Sequence, residues 1–158
     1  MKILSLLVSF FAAMVAQWWW MTHFSAFGLA PQLLLVLTVA LAARYGALWG
    51  MSAGFFWGLF LDILGPRLFG ANALALTWIA YGTGSVRRQI DVAGLGPQTV
   101  VVIAMTWAYF LVMGALGLVF SKTFYWVGWP AFLVDPFYNG LVTALVYAVW
   151  VPHREHRR

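Results

Sequence analysis

The chain has no cysteine, and acidic residues are almost as scarce, four in 158 residues. Without cysteine there is no disulfide, no thiolate nucleophile and no cysteine-ligated zinc or iron–sulfur site. Charge of either sign is thin: nine Lys or Arg stand beside those four acids, 8% of the chain in all. A soluble domain carries about 25% charged and about 45–50% apolar residues. This chain is 64% hydrophobic, with a mean hydropathy of +0.89. So few charges do not cover a globule in water. A soluble enzyme, a disordered chain and a free nucleic-acid binder are thereby excluded. The expected class is an all-α integral membrane protein, a single domain with almost no soluble part.

A bilayer core of about 30 Å takes roughly 17–25 apolar residues per helix. Six such segments are expected, near 3–21, 29–43, 46–64, 71–86, 98–120 and 136–151. The first follows a lone Lys2 and reads as a retained helix rather than a signal peptide. No small-x-small site directly follows it: Met14 stands two places before Ala16, and Ala26 and Gly28 lie too far downstream. The second opens at Pro31, a good first-turn residue. The third stops at Gly65-Pro66-Arg67. Asp135-Pro136 reads as an N-cap and first helical residue for the sixth, and Pro152 ends it. The aromatic stretch between the last two segments, 124–133, reads as interfacial.

Basic residues set the orientation, because they concentrate in cytoplasmic segments. With six spans and the N-terminus inside, Lys2, Arg44, Arg87, Arg88, Arg154, Arg157 and Arg158 fall inside, and only Arg67 and Lys122 fall outside. Fusing the second and third spans would put more basic residues outside than inside. Both termini are therefore expected in the cytoplasm. Trp18, Trp19, Trp20, Trp126, Trp129 and Trp150 fall near expected span ends, where indole rings favour the interface.

The third span carries the most information. Gly46, Gly50, Gly54 and Gly58 recur every four residues, and Asp62 continues the row. Such glycines let another backbone approach closely. Two readings follow: packing within the bundle, or a docking face for a partner's membrane helix. Asp62 is the one acid inside an expected span. An intramembrane carboxylate is costly and invites a functional reading. A structural lock is the stronger expectation, with Asp62 pairing with Arg67 or accepting from donors near Asn72. A proton or ion relay would need a second ionisable group at depth. Asn139, opening the last span, is expected to hydrogen-bond across helices. Ser52, Thr77, Thr106 and Thr143 have no acid or His at helical spacing and read as backbone-bonding residues. His23, His153 and His156 are scattered, and no cluster has metal spacing. Gly82-Thr83-Gly84 lacks the lysine of a phosphate loop. No cofactor and no catalytic residue are expected.

Residues 31–81 resemble MreD, the rod shape-determining membrane protein family of bacteria. The resemblance rests on Pro31, on Gly54-Phe55-Phe56-Trp57-Gly58-Leu59-Phe60-Leu61-Asp62, and then on Gly70, Ala73-Leu74 and Ala80-Tyr81. The family pattern is G-F-x-x-G-x-x-x-D, a short turn, a glycine, and a helix ending near Ala-Tyr. Asn139-Gly140 is similar to the family's last span, while the Trp-rich first helix and short tail depart from it. The resemblance implies a non-enzymatic regulator of lateral-wall peptidoglycan synthesis in the bacterial inner membrane. Its implied partner is MreC, through a transmembrane helix. RodA glycosyltransferase and a class B penicillin-binding transpeptidase follow indirectly, with membrane lipids around the chain and no nucleic acid. The implied fold is similar to the six-helix substrate-binding components of energy-coupling-factor transporters.

That similarity supplies the rival reading, a substrate-binding component for a small vitamin-like molecule. Its polar pocket would draw on Asp62, Arg67, Asn72, Asp135 and Asn139. An intramembrane enzyme is the weakest alternative, for want of a nucleophile and base.

Overall fold

The computed structural model describes residues 3–23, 31–65, 68–92 and 94–150. Six helices follow one another along them: α1 Ile3–His23, α2 Leu33–Tyr45, α3 Ala47–Leu64, α4 Ala71–Arg87, α5 Leu95–Ser121 and α6 Trp129–Trp150. No strand occurs among the described residues. Among the described residues, three segments are long and apolar enough to cross a membrane: α3, α5 and the Trp129–Ala148 part of α6. Their outward faces are apolar too, with Leu48 76%, Phe56 67% and Val119 73% exposed. Apolar side chains displayed on this scale belong in a lipid environment rather than in water.

α2 lies at the centre. Its 13 residues give a rod of about 20 Å, short against a bilayer core. Ten consecutive residues, 34–43, are buried all round. The reason is position: α2 packs against each of the other five helices. Val36 and Val39 meet Leu76 and Ile79 of α4 and Val102 of α5. Leu34, Leu37 and Leu41 meet Phe10 of α1 and Trp57 of α3.

One residue, Gly46, separates α2 from α3. Its φ of 96° is open to glycine and strained for other residues. The chain therefore reverses there, and the second and third segments form two helices rather than one. The glycine row then sets the packing. A methyl group at Gly50 would overlap Ala42, and one at Gly54 would come within 3.1 Å of Thr38 and 3.0 Å of the Leu76 carbonyl oxygen. One at Gly58 would run into the Ala73 backbone. Gly84 returns the favour, seating Ala47 against α4. These pairings run antiparallel. The Met105 contact at Gly82 and the Ile103 contact at Gly140 continue the up-and-down order into α5 and α6.

The row is thus filled by α2 and α4. Gly50, Gly54 and Gly58 are buried, and Gly46 lies against Arg87. Of the two readings of Gly46, Gly50, Gly54 and Gly58, packing within the bundle is the one seen: α2 and α4 occupy the space beside Gly50, Gly54 and Gly58.

The start of α6 is corrected. It begins at Trp129, not at Asp135-Pro136. Gly128 turns the chain with a φ of 92°, and Pro130 takes the first-turn place expected of Pro136. Asp135 is therefore no N-cap, and Pro136 stands inside the helix. A proline there withholds the N–H that would serve the carbonyl four residues back, Phe132. The indole of Trp107 on α5 supplies the missing donor, Nε1 to the Phe132 oxygen at 3.0 Å. Two Pro-containing starts compete along the sequence, and a donor from another helix makes the earlier one workable.

Gly58→Ala is expected to lower unfolding stability by about 1–3 kcal/mol through overpacking. Gly96→Ala, where nothing lies within 4 Å, is expected to be neutral or slightly stabilising. Unfolding of the two variants in detergent checks the contrast. Equal stability of both would contradict the tight α3–α4 contact.

Candidate functional site

The polar side chains gather at one end of the bundle, where α3 hands over to α4. Asp62 sits in the last turn of α3 and is 5% exposed. Its Oδ1 accepts from the Asn72 backbone N–H at 3.0 Å and from Asn72 Nδ2 at 2.9 Å. Its Oδ2 accepts from the Ala73 N–H at 3.1 Å. α4 needs this help, because its N-cap is Gly70, which has no side chain to offer. The first N–H groups of a helix lack partners within it. A carboxylate there satisfies them and meets the positive end of the helix dipole. Asp62 is thus an N-cap delivered from a neighbouring helix. Asn72 extends the link, its Oδ1 accepting from the Tyr109 hydroxyl of α5. Of the two partners expected for Asp62, the donors near Asn72 are the ones seen. Arg67 lies outside the described residues.

Asn139 does similar work for α2. It is fully buried on α6. Its Oδ1 accepts from the N–H of Gln32, the residue at the head of α2, at 2.8 Å. Its Nδ2 donates to Thr106 Oγ1 of α5 at 3.1 Å. The expected cross-helix role is therefore present and joins three helices. The hydroxyls of Ser52, Thr77, Thr106 and Thr143 each donate to the carbonyl four residues earlier, as expected.

Between these links lies a cavity of about 780 Å³. The end of α1, the start of α2, the end of α3, the start of α4 and the second half of α5 contribute to its wall. Residues 124–127 of the α5–α6 connection line it as well. Gly114 and Gly117 let this aromatic connection lie on α5: Phe124 fills the space beside the first, and Thr123 and Tyr125 that beside the second. Trp126 in turn stacks on Phe132, ring centres 5.3 Å apart.

Asp62, Asn72 and Asp135 all reach the cavity, whereas Asn139 does not line it. Asp135 is 4% exposed, and its Oδ1 has no hydrogen-bond partner among the described residues. Gln17 and Gln32 also line the cavity, each with an enclosed Oε1 that has no partner among the described residues. Neither stands out in the sequence, because an amide inside an apolar run carries no charge. Tyr109 was missed because a tyrosine in a membrane helix is unremarkable until its hydroxyl finds a partner.

The opposite end of the bundle is basic. Arg44 lies over the Tyr147 ring at 5.0 Å, and Arg87 reaches Gly46. Among the described residues, no group of three or more His, Asp or Glu is arranged to hold a metal ion. No family model matches the chain, and no curated protein or solved structure matches it.

Asp62→Ala is expected to cost about 1–3 kcal/mol of stability by stranding the first-turn donors of α4. Asp62→Asn, which keeps one acceptor, is expected to cost less. Unfolding in detergent with both variants measures the order. A stability unchanged by Asp62→Ala would remove the cap from the account.

Proposed function

We propose that the chain is a non-enzymatic, multi-pass scaffold of the MreD type in the bacterial cytoplasmic membrane. In this reading all six helices cross the bilayer and both termini face the cytoplasm. α2 crosses despite its length because five helices enclose its middle, residues 34–43. Arg44, Arg87 and Arg88 then share the cytoplasmic side, which follows the usual bias of basic residues.

The observation that carries the reading is the use made of the segment on which the resemblance rests. Gly54 and Gly58 bring α3 against α4, and Asp62 caps α4. The motif builds a rigid helical hairpin rather than a reactive site. A rigid hairpin suits a protein whose work is contact. Its partner is MreC, by way of that protein's membrane helix. RodA and the class B penicillin-binding transpeptidase are reached through MreC. Because the glycine row is filled from within, the partner helix meets the outer, lipid-facing surface instead.

A second reading is favoured by one observation. A cavity with polar atoms that lack partners among the described residues suits a substrate-binding component of a small-molecule transporter.

Co-expression of the chain with MreC from the same genome, followed by affinity capture in mild detergent, tests the proposal. MreC is expected to co-purify in a fixed ratio. A folded, monodisperse chain that leaves MreC entirely in the flow-through would overturn it.

A further inference from the structure

The cavity beside Asp62 has a chemistry that scaffolding leaves unused. Three of its lining side chains, Gln17, Gln32 and Asp135, present enclosed oxygen atoms without partners among the described residues. All three atoms are acceptors. Asp135 is the decisive one, since its carboxylate is almost wholly buried, on the face of α6 that lines the cavity. A buried carboxylate is ordinarily paired or hydrogen-bonded. Asp62, the other acid at this cavity, is already engaged by the start of α4. Among the described residues, neither Lys nor Arg contributes to the wall; Arg44 and Arg87 lie at the far end. Much of the remaining wall is aromatic, including Trp18, Phe110, Phe124 and Trp126. Ring faces attract cations, and most strongly where water is scarce.

Acceptor oxygens, a carboxylate without a basic partner among the described residues and a wall of rings select one kind of guest. We infer that the cavity binds a small organic ammonium ion. Its N–H groups meet the Asp135 carboxylate, the Gln17 and Gln32 oxygens supply further acceptors, and its apolar body lies among the rings. The volume falls within the range of about 300–1,000 Å³ usual for small-molecule sites. An anion would face Asp135 with no Lys or Arg among the described lining residues to offset the repulsion. A neutral guest of the same shape would leave the carboxylate without a counter-charge. The inference does not depend on the scaffold proposal: a chain that captures MreC and one that does not both offer the same cavity.

The test uses the full chain in nanodiscs of phosphatidylcholine, which carries no net charge to concentrate cations. The probes are benzylammonium, its neutral analogue benzyl alcohol, and benzoate. Binding is read from tryptophan fluorescence, since Trp18 and Trp126 line the cavity, and from calorimetry. Saturable benzylammonium binding is expected, at least tenfold tighter than benzyl alcohol and with no benzoate binding. Asp135→Asn is expected to weaken benzylammonium at least tenfold and leave benzyl alcohol unchanged. If that variant does not fold, Gln17→Leu takes its place, with at least a threefold loss expected. Absence of saturable benzylammonium binding overturns the inference. So does an affinity unchanged in the folded variant, or benzoate binding as tightly as benzylammonium.

Discussion

Where water is absent, each backbone group freed by a helix end or a proline must find its partner inside the protein, at a cost of several kcal/mol if it does not. Much of this bundle's polar chemistry answers that demand, and it does so across helices. The carboxylate of Asp62 on α3 serves the N–H groups that open α4. The amide of Asn139 on α6 serves the N–H that opens α2. The indole of Trp107 on α5 serves the carbonyl that Pro136 leaves open on α6. Each partner is buried or half-buried and comes from a different helix, so the same bonds that satisfy the backbone also fix how the helices sit together. Close contact at Gly54 and Gly58 makes the first of these reachable, because α3 and α4 approach nearly to backbone distance.

The arrangement gives the molecule two unlike ends. One gathers Arg44 and Arg87. The other gathers Asp62, Asn72, Tyr109 and the cavity beneath the aromatic connection. The Asp62 network stiffens one wall of that cavity, and the Asn139 network holds the head of α2 beside it. Rigid walls with a few unspent acceptors suit a binding site, and a rigid exterior suits a scaffold. These two roles occupy different surfaces and are compatible in one chain.

Much of this was legible in the residues alone. Five of the six expected segments match helices to within a few residues, because long apolar runs broken by Gly, Pro and Arg leave little choice. Asp62 was legible as a lock because a lone acid in an apolar helix must be satisfied, and Asn72 stood within reach. The side on which the glycine row packs was not legible: spacing shows that something approaches closely, but not what. The sixth helix was misplaced because Trp129-Pro130 and Asp135-Pro136 carry similar local signals. The choice between them depends on Trp107, which stands 25 residues before the Phe132 carbonyl it serves. Gln17 and Gln32 escaped notice because an amide adds no charge, although burying one without a partner is also costly.

The central claim, that partners on other helices satisfy the backbone, is tested most directly by a double-mutant cycle between Trp107 and Pro136. Trp107→Phe removes the indole donor but keeps a ring; Pro136→Ala restores a helical N–H to the Phe132 carbonyl. Unfolding measurements on the four proteins isolate the coupling, since changes in packing common to both backgrounds cancel. The account predicts that Trp107→Phe costs about 1–3 kcal/mol beside Pro136 and markedly less beside the alanine. An identical cost in both backgrounds would contradict it.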